Sequence, residues 1–97
     1  MALQKKYQEQ LVNVIHKHVP NCAIYLFGSR ARNTERHGSD IDVAIQADKK
    51  IPYATILAIL VDLDETTIPM KIDMVDLHTA SDNLKQKILR EGILWKS

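Results

Sequence analysis

The chain has 97 residues, 45% hydrophobic and 26% charged, a length that supports one domain with one core and leaves no room for a second. Its 13 basic and 12 acidic side chains nearly cancel, which excludes the broad positive field that binds long DNA or RNA without sequence preference. The lone Cys22 excludes an internal disulfide, the charged N-terminus lacks an apolar signal core, and no apolar run nears the roughly 20 residues that cross a bilayer; the cytoplasm is the expected location.

Leu3, Tyr7, Leu11, Val14, Ile15 and His18 recur at helical spacing, with Lys5, Lys6, Glu9, Gln10 and Lys17 on the other face, predicting an amphipathic helix over 3–18 that stops at Pro20-Asn21. The apolar run from Cys22 to Phe27 reads as a strand buried on both faces. It ends at Gly28-Ser29, followed by a short helical turn over 30–33 and a polar loop over 34–38. Residues 40–46 alternate, with Ile41, Val43 and Ile45 on one side and Asp40, Asp42 and Ala44 on the other: a second strand. Pro52 suits the start of a helix whose apolar face is Ile56, Leu57, Ile59, Leu60 and Leu63 and which runs to about residue 65. Pro69 precedes a third strand over 71–77. Thr79 to Asp82 resembles a capping box for a last helix with Leu84, Ile88 and Leu89 on its apolar face, and Gly92 stands where a C-terminal cap would. The tail Ile93-Leu94-Trp95 is expected to anchor on the core. The order is that of a small α/β (α+β) domain over 1–97: a mixed three-stranded sheet with helices mainly on one face.

Asp40 and Asp42 project from one face of a strand, about 7 Å apart along the chain. Two such charges at 4 Å repel by about 4 kcal/mol at an effective dielectric near 20. A hard cation resolves the conflict, and Mg²⁺ binds through a few carboxylates together with substrate phosphates. Alone, an Asp-x-Asp is better explained by solvation. Gly28-Ser29 changes that, because glycine lets a phosphate approach the backbone and the following N–H groups and hydroxyl can donate to it. Arg30 and Arg32 lie in the same turn and Arg36 follows, suiting charge-assisted phosphate recognition. Asp73 is a third acid, out of place inside a strand unless it serves a site. If the second and third strands pair, Asp73 joins Asp40 and Asp42, and three carboxylates with two ions about 4 Å apart form a clamp for displacement at phosphorus. Asp73 then ligates metal or serves as general base.

Gly28-Ser29, ten intervening residues, Asp40-x-Asp42 and a later single Asp resemble the DNA polymerase β-like nucleotidyltransferase superfamily. Within it, GSRARNTERHGSDIDVAI followed by KIDMVDL is similar to the minimal nucleotidyltransferases, over about residues 22–80. The resemblance implies a polymerase β-like palm fold and Mg²⁺-dependent transfer of AMP from ATP to a hydroxyl. Gly28 and Ser29 would hold the β- and γ-phosphates, Arg30 and Arg32 would assist, Asp40 and Asp42 would ligate two Mg²⁺ ions, and Asp73 would be the third acid. It also implies a HEPN-domain partner encoded by an adjacent gene, whose tyrosine would be modified so that the chain acts as an antitoxin. The alternative is a non-catalytic antitoxin that neutralises the HEPN protein by binding alone. Asn33 stands where many relatives carry glycine, and asparagine tolerates positive φ well enough for the turn to survive.

Other residues carry less. Asp76, three positions after Asp73, points to the opposite face and reads as a strand-end residue; Asp62, Asp64 and Glu65 read as solvated. His16, His18, His37 and His78 share no ligand spacing, Trp95 reads as core anchoring, and Tyr53 could mark a partner surface. A drug-modifying nucleotidyltransferase is a weaker reading, since a small acceptor needs a second domain to hold it.

Overall fold

The computed structural model describes residues 3–32 and 38–96. The elements are α1 (Lys5–His18), β1 (Ala23–Phe27), β2 (Ile41–Gln46), α2 (Tyr53–Asp64), β3 (Ile72–Asp76), α3 (Asp82–Glu91) and β4 (Ile93–Lys96). They form a mixed α/β fold around one sheet of order β3-β2-β1-β4. β1 pairs antiparallel with β2 and with β4, and β2 pairs parallel with β3.

The sheet has four strands where the sequence predicted three. The segment expected to anchor as a tail adds β4 beside β1, opposing Leu26 to Ile93 and Tyr25 to Leu94. Gly92 makes that turn back possible. Its φ of −71° needs no glycine, but a Cβ there would strike the Ile88 carbonyl and stand 3.3 Å from that of Leu26.

Alternation along the central strands gives the sheet a packed core on each face. Ile24 and Leu26 of β1 and Ile41, Val43 and Ile45 of β2 join Leu11 and Ile15 of α1 and Ile59 and Leu63 of α2 in the main core. Ala44, Leu77 and Ile88 form a smaller core on the other face, with Tyr25, Phe27 and Leu84 against it. Two helices therefore cover one face and α3 covers part of the other. Leu57 and Leu89, expected in apolar faces, are 43% and 51% exposed. Leu89 lies about 100° around α3 from buried Ile88 and Leu57 about 160° around α2 from buried Ile59, and the narrow sheet receives only the central stripe. Ser81 rather than Thr79 caps α3, its Oγ accepting from the Leu84 N–H at 3.2 Å. Trp95 packs against the main core as expected.

Candidate active site

The site lies at the end of the sheet where β1 runs out and β2 and β3 begin. Asp42 sits in the middle of that end, opposite Phe27 of β1 on one side and Asp73 of β3 on the other. Strand alternation places Asp42, Asp73 and Phe27 on the face that α3 partly covers. The core under α3 reaches Ala44 but stops short of Asp42, so this end stays open: Asp40 and Asp73 are exposed and Asp42 is half-buried. Asp40 lies one residue ahead of β2.

The charges of these acids interact. Burial raises the Asp42 carboxyl pKa above its ordinary value, the neighbouring charges of Asp73 and Asp40 push it the same way, and Arg32 partly offsets them. The donor set is hard oxygen, and its internal repulsion is what a divalent cation relieves. Among the described residues no three His, Cys, Asp or Glu side chains form a metal cage by themselves. Mg²⁺ does not require one, since it commonly takes one or two carboxylates and completes its shell with water and substrate phosphates.

Gly28 borders this group from β1. Its φ is +77°, a left-handed conformation that side chains disfavour. A Cβ there would overlap the Asp42 carboxylate, so glycine is required both by the backbone and by Asp42. From Gly28 the chain makes one helical turn, closed by the Arg32 N–H donating to the Gly28 carbonyl at 3.2 Å. Ser29 is half-buried in this turn.

The sequence assigns both Arg30 and Arg32 to phosphate, and the structure gives them different surroundings. Arg32 is exposed and near enough to Asp42 to lower its carboxyl pKa. Arg30 is 9% exposed and donates from Nε and Nη2 to the Ser39 carbonyl, at 3.2 and 2.8 Å. Nothing in the sequence distinguishes the two, because the difference arises where the loop returns. Asn33, Arg36 and His37 lie outside the described residues.

Several other polar residues hold the fold together. Asp76, 3% exposed, accepts from the Ile51 N–H at 2.8 Å and the His78 N–H at 2.9 Å, fastening the approach to α2 onto β3. Asp62, expected to be solvated, pairs with His18 at 2.6 Å and Lys17 at 3.7 Å and ties α1 to α2. His16 and His78 hydrogen-bond the carbonyls of Cys22 and Ala47. No helix among the described residues is long and apolar enough to cross a membrane.

Comparison with known proteins identifies the family of the fold. The family described as polymerase beta, nucleotidyltransferase, matches residues 9–97. The protein adenylyltransferase MntA of Shewanella oneidensis is 31% identical over 101 residues, covering 96% of this chain and 68% of that protein. A toxin–antitoxin structure with AMP-PNP superposes with a TM-score of 0.80 at 27% identity, covering 93% of this chain and 73% of that one. The Shewanella oneidensis complex of a tri-AMPylated HEPN toxin with MNT antitoxin gives 0.76 at 25% identity, covering 98% and 74%. With the family match spanning most of its length, the chain belongs to the polymerase beta nucleotidyltransferase family.

Proposed function

We propose that the protein transfers AMP from ATP, with Mg²⁺, to a tyrosine hydroxyl of a HEPN-domain partner and so acts as its antitoxin. The observation that carries the reading is the adjacency of Asp42, Asp73 and the left-handed Gly28 at one open sheet end. In the reaction the hydroxyl oxygen attacks the α-phosphorus, the bond from that phosphorus to the β-bridging oxygen breaks, and pyrophosphate leaves. Gly28 admits the triphosphate to the backbone, and Ser29 donates to its β- and γ-phosphates. Arg32 offsets phosphate charge from the exposed side of the turn. Asp40 and Asp42 hold Mg²⁺, and Asp73, at the exposed edge, takes the proton of the attacking hydroxyl. When bound, Mg²⁺ neutralises triphosphate charge and lowers the pKa of that hydroxyl.

A HEPN acceptor is supported by the relatives, among them the complex of a tri-AMPylated HEPN toxin with MNT antitoxin. The proposed use of ATP supports a cytoplasmic location. The same complex also supports a second reading, neutralisation by binding alone. Cells expressing the HEPN partner with the Asp40→Asn/Asp42→Asn double variant separate the two. Catalytic neutralisation predicts arrested growth, and full rescue by the variant would leave binding alone as the biological function.

A further inference from the structure

Two residues of the Gly28–Arg32 turn meet the acidic pair differently, Gly28 at the Asp42 carboxylate and Arg30 at the backbone just before Asp40. Gly28 makes room for Asp42 by having no Cβ. Arg30 reaches the other end of the same acidic pair through the backbone of Ser39, the residue before Asp40. The β2–β3 register begins at Ile41, whose N–H donates to the Lys71 carbonyl at 2.8 Å. Asp40 therefore lies between two fastenings, the Arg30 fork on Ser39 and the first ladder bond of Ile41. Loosening either lets its carboxylate swing relative to Asp42.

We infer that Arg30 is a positioning residue for nucleotidyl transfer, setting Asp40 against Asp42 through the Ser39 carbonyl rather than contacting the triphosphate. A guanidinium suits this role because two N–H groups in a fixed plane define the direction of the carbonyl as well as its distance. Lysine keeps the charge but loses the plane. The phosphate-facing arginine of the turn is then Arg32, which is exposed. One short turn thus sets both metal-binding carboxylates, Asp42 by an absent side chain and Asp40 by a buried one.

The inference rests on reading Asp40 as a metal ligand, and the experiment separates the two. The wild-type protein is followed by NMR of its arginine Nε–H groups, and Mn²⁺ and metal-free AMP-PNP are titrated separately into wild type, Arg30→Lys and Asp40→Asn. The Arg30 Nε–H should be protected from exchange and stay in place when AMP-PNP and Mg²⁺ are added, while that of Arg32 moves. Arg30→Lys should bind metal-free AMP-PNP within about two-fold of wild type, yet need about ten- to hundred-fold more Mn²⁺ for half-saturation, the scale of a lost charge-assisted hydrogen bond. Movement of the Arg30 signal with nucleotide, or a Mn²⁺ titration of Arg30→Lys like that of wild type, overturns the inference. If Asp40→Asn itself binds Mn²⁺ as wild type does, the ligand assignment fails instead. Should Arg30→Lys not fold, the wild-type Nε–H signals still decide whether Arg30 meets the nucleotide.

Discussion

Gly28→Ala gives two separable losses, and Gly38→Ala is its control. Both glycines are left-handed, with φ of +77° and +80°. Adding a Cβ in that region costs about 1–2 kcal/mol. In a domain of this size that corresponds to a Tm drop of roughly 4–16 °C, taking about 4–8 °C per kcal/mol. The second effect belongs to Gly28 alone. Its new Cβ overlaps the Asp42 carboxylate, whereas a Cβ at Gly38 meets no described atom within 4 Å. The obstacle is the end of a side chain, so the clash is relieved by turning Asp42 away at little further cost in stability. The reaction bears that cost, because a misplacement of about 1 Å in a catalytic group lowers rates about 10²-fold. Thermal melts and initial rates of AMP transfer, taken at a temperature where both variants are folded, should show similar Tm losses and a large rate loss only in Gly28→Ala. A Gly28→Ala enzyme with near-wild-type kcat, or an equal rate loss in Gly38→Ala, would refute the reasoning.

Asp42→Asn should abolish transfer yet raise Tm in metal-free buffer, because the residue is held against burial and against the charges of Asp73 and Asp40. An acid with a raised folded pKa keeps a proton that the unfolded chain has released, so its contribution to stability is lost as pH rises through the carboxylate range. Denaturant melts over that range should show a shallower fall in the variant. Asp76→Ala orphans the buried N–H of Ile51 and that of His78 and should cost about 2–4 kcal/mol in urea unfolding, with Asp76→Asn milder because one acceptor oxygen remains. Burial pushes the Cys22 thiol up to about 11, so at pH 8 a thiol reagent should label the folded protein far more slowly than the urea-unfolded chain. Prompt labelling of the folded protein would contradict the buried placement of Cys22.

Much of this architecture is legible in the sequence because its signals are local. Helical spacing from Tyr7 to Ile15 and alternation from Ile41 to Ile45 specify which faces are buried, and the structure buries those faces. β4 escapes the reading because a three-residue apolar tail after a glycine has the same pattern whether it pairs with a strand or merely packs; only the neighbouring edge of β1 decides. The exposed Leu57 and Leu89 show the same limit, since sequence gives the direction of an apolar stripe but not the width of the surface it meets. At the site, the spacing of Gly28, Asp40 and Asp42 and the intrusion of Asp73 into a strand are readable, and the parallel pairing of β2 with β3 puts Asp73 beside Asp42. The burial of Arg30 and the fastening role of Asp76 are not readable, because each depends on a backbone group from a distant segment: Ser39 for one, Ile51 for the other.

The central claim is AMP transfer from ATP to a HEPN tyrosine by the Asp40, Asp42 and Asp73 group. Its most direct test is parallel incubation of the protein and its HEPN partner with Mg²⁺ and ATP labelled at either the α- or the γ-phosphorus, followed by mapping of the label. The account predicts α-label on a tyrosine of the partner, no γ-label, and no label of either kind with Asp42→Asn. Label from the γ-position, or undiminished α-labelling by Asp42→Asn, would contradict it.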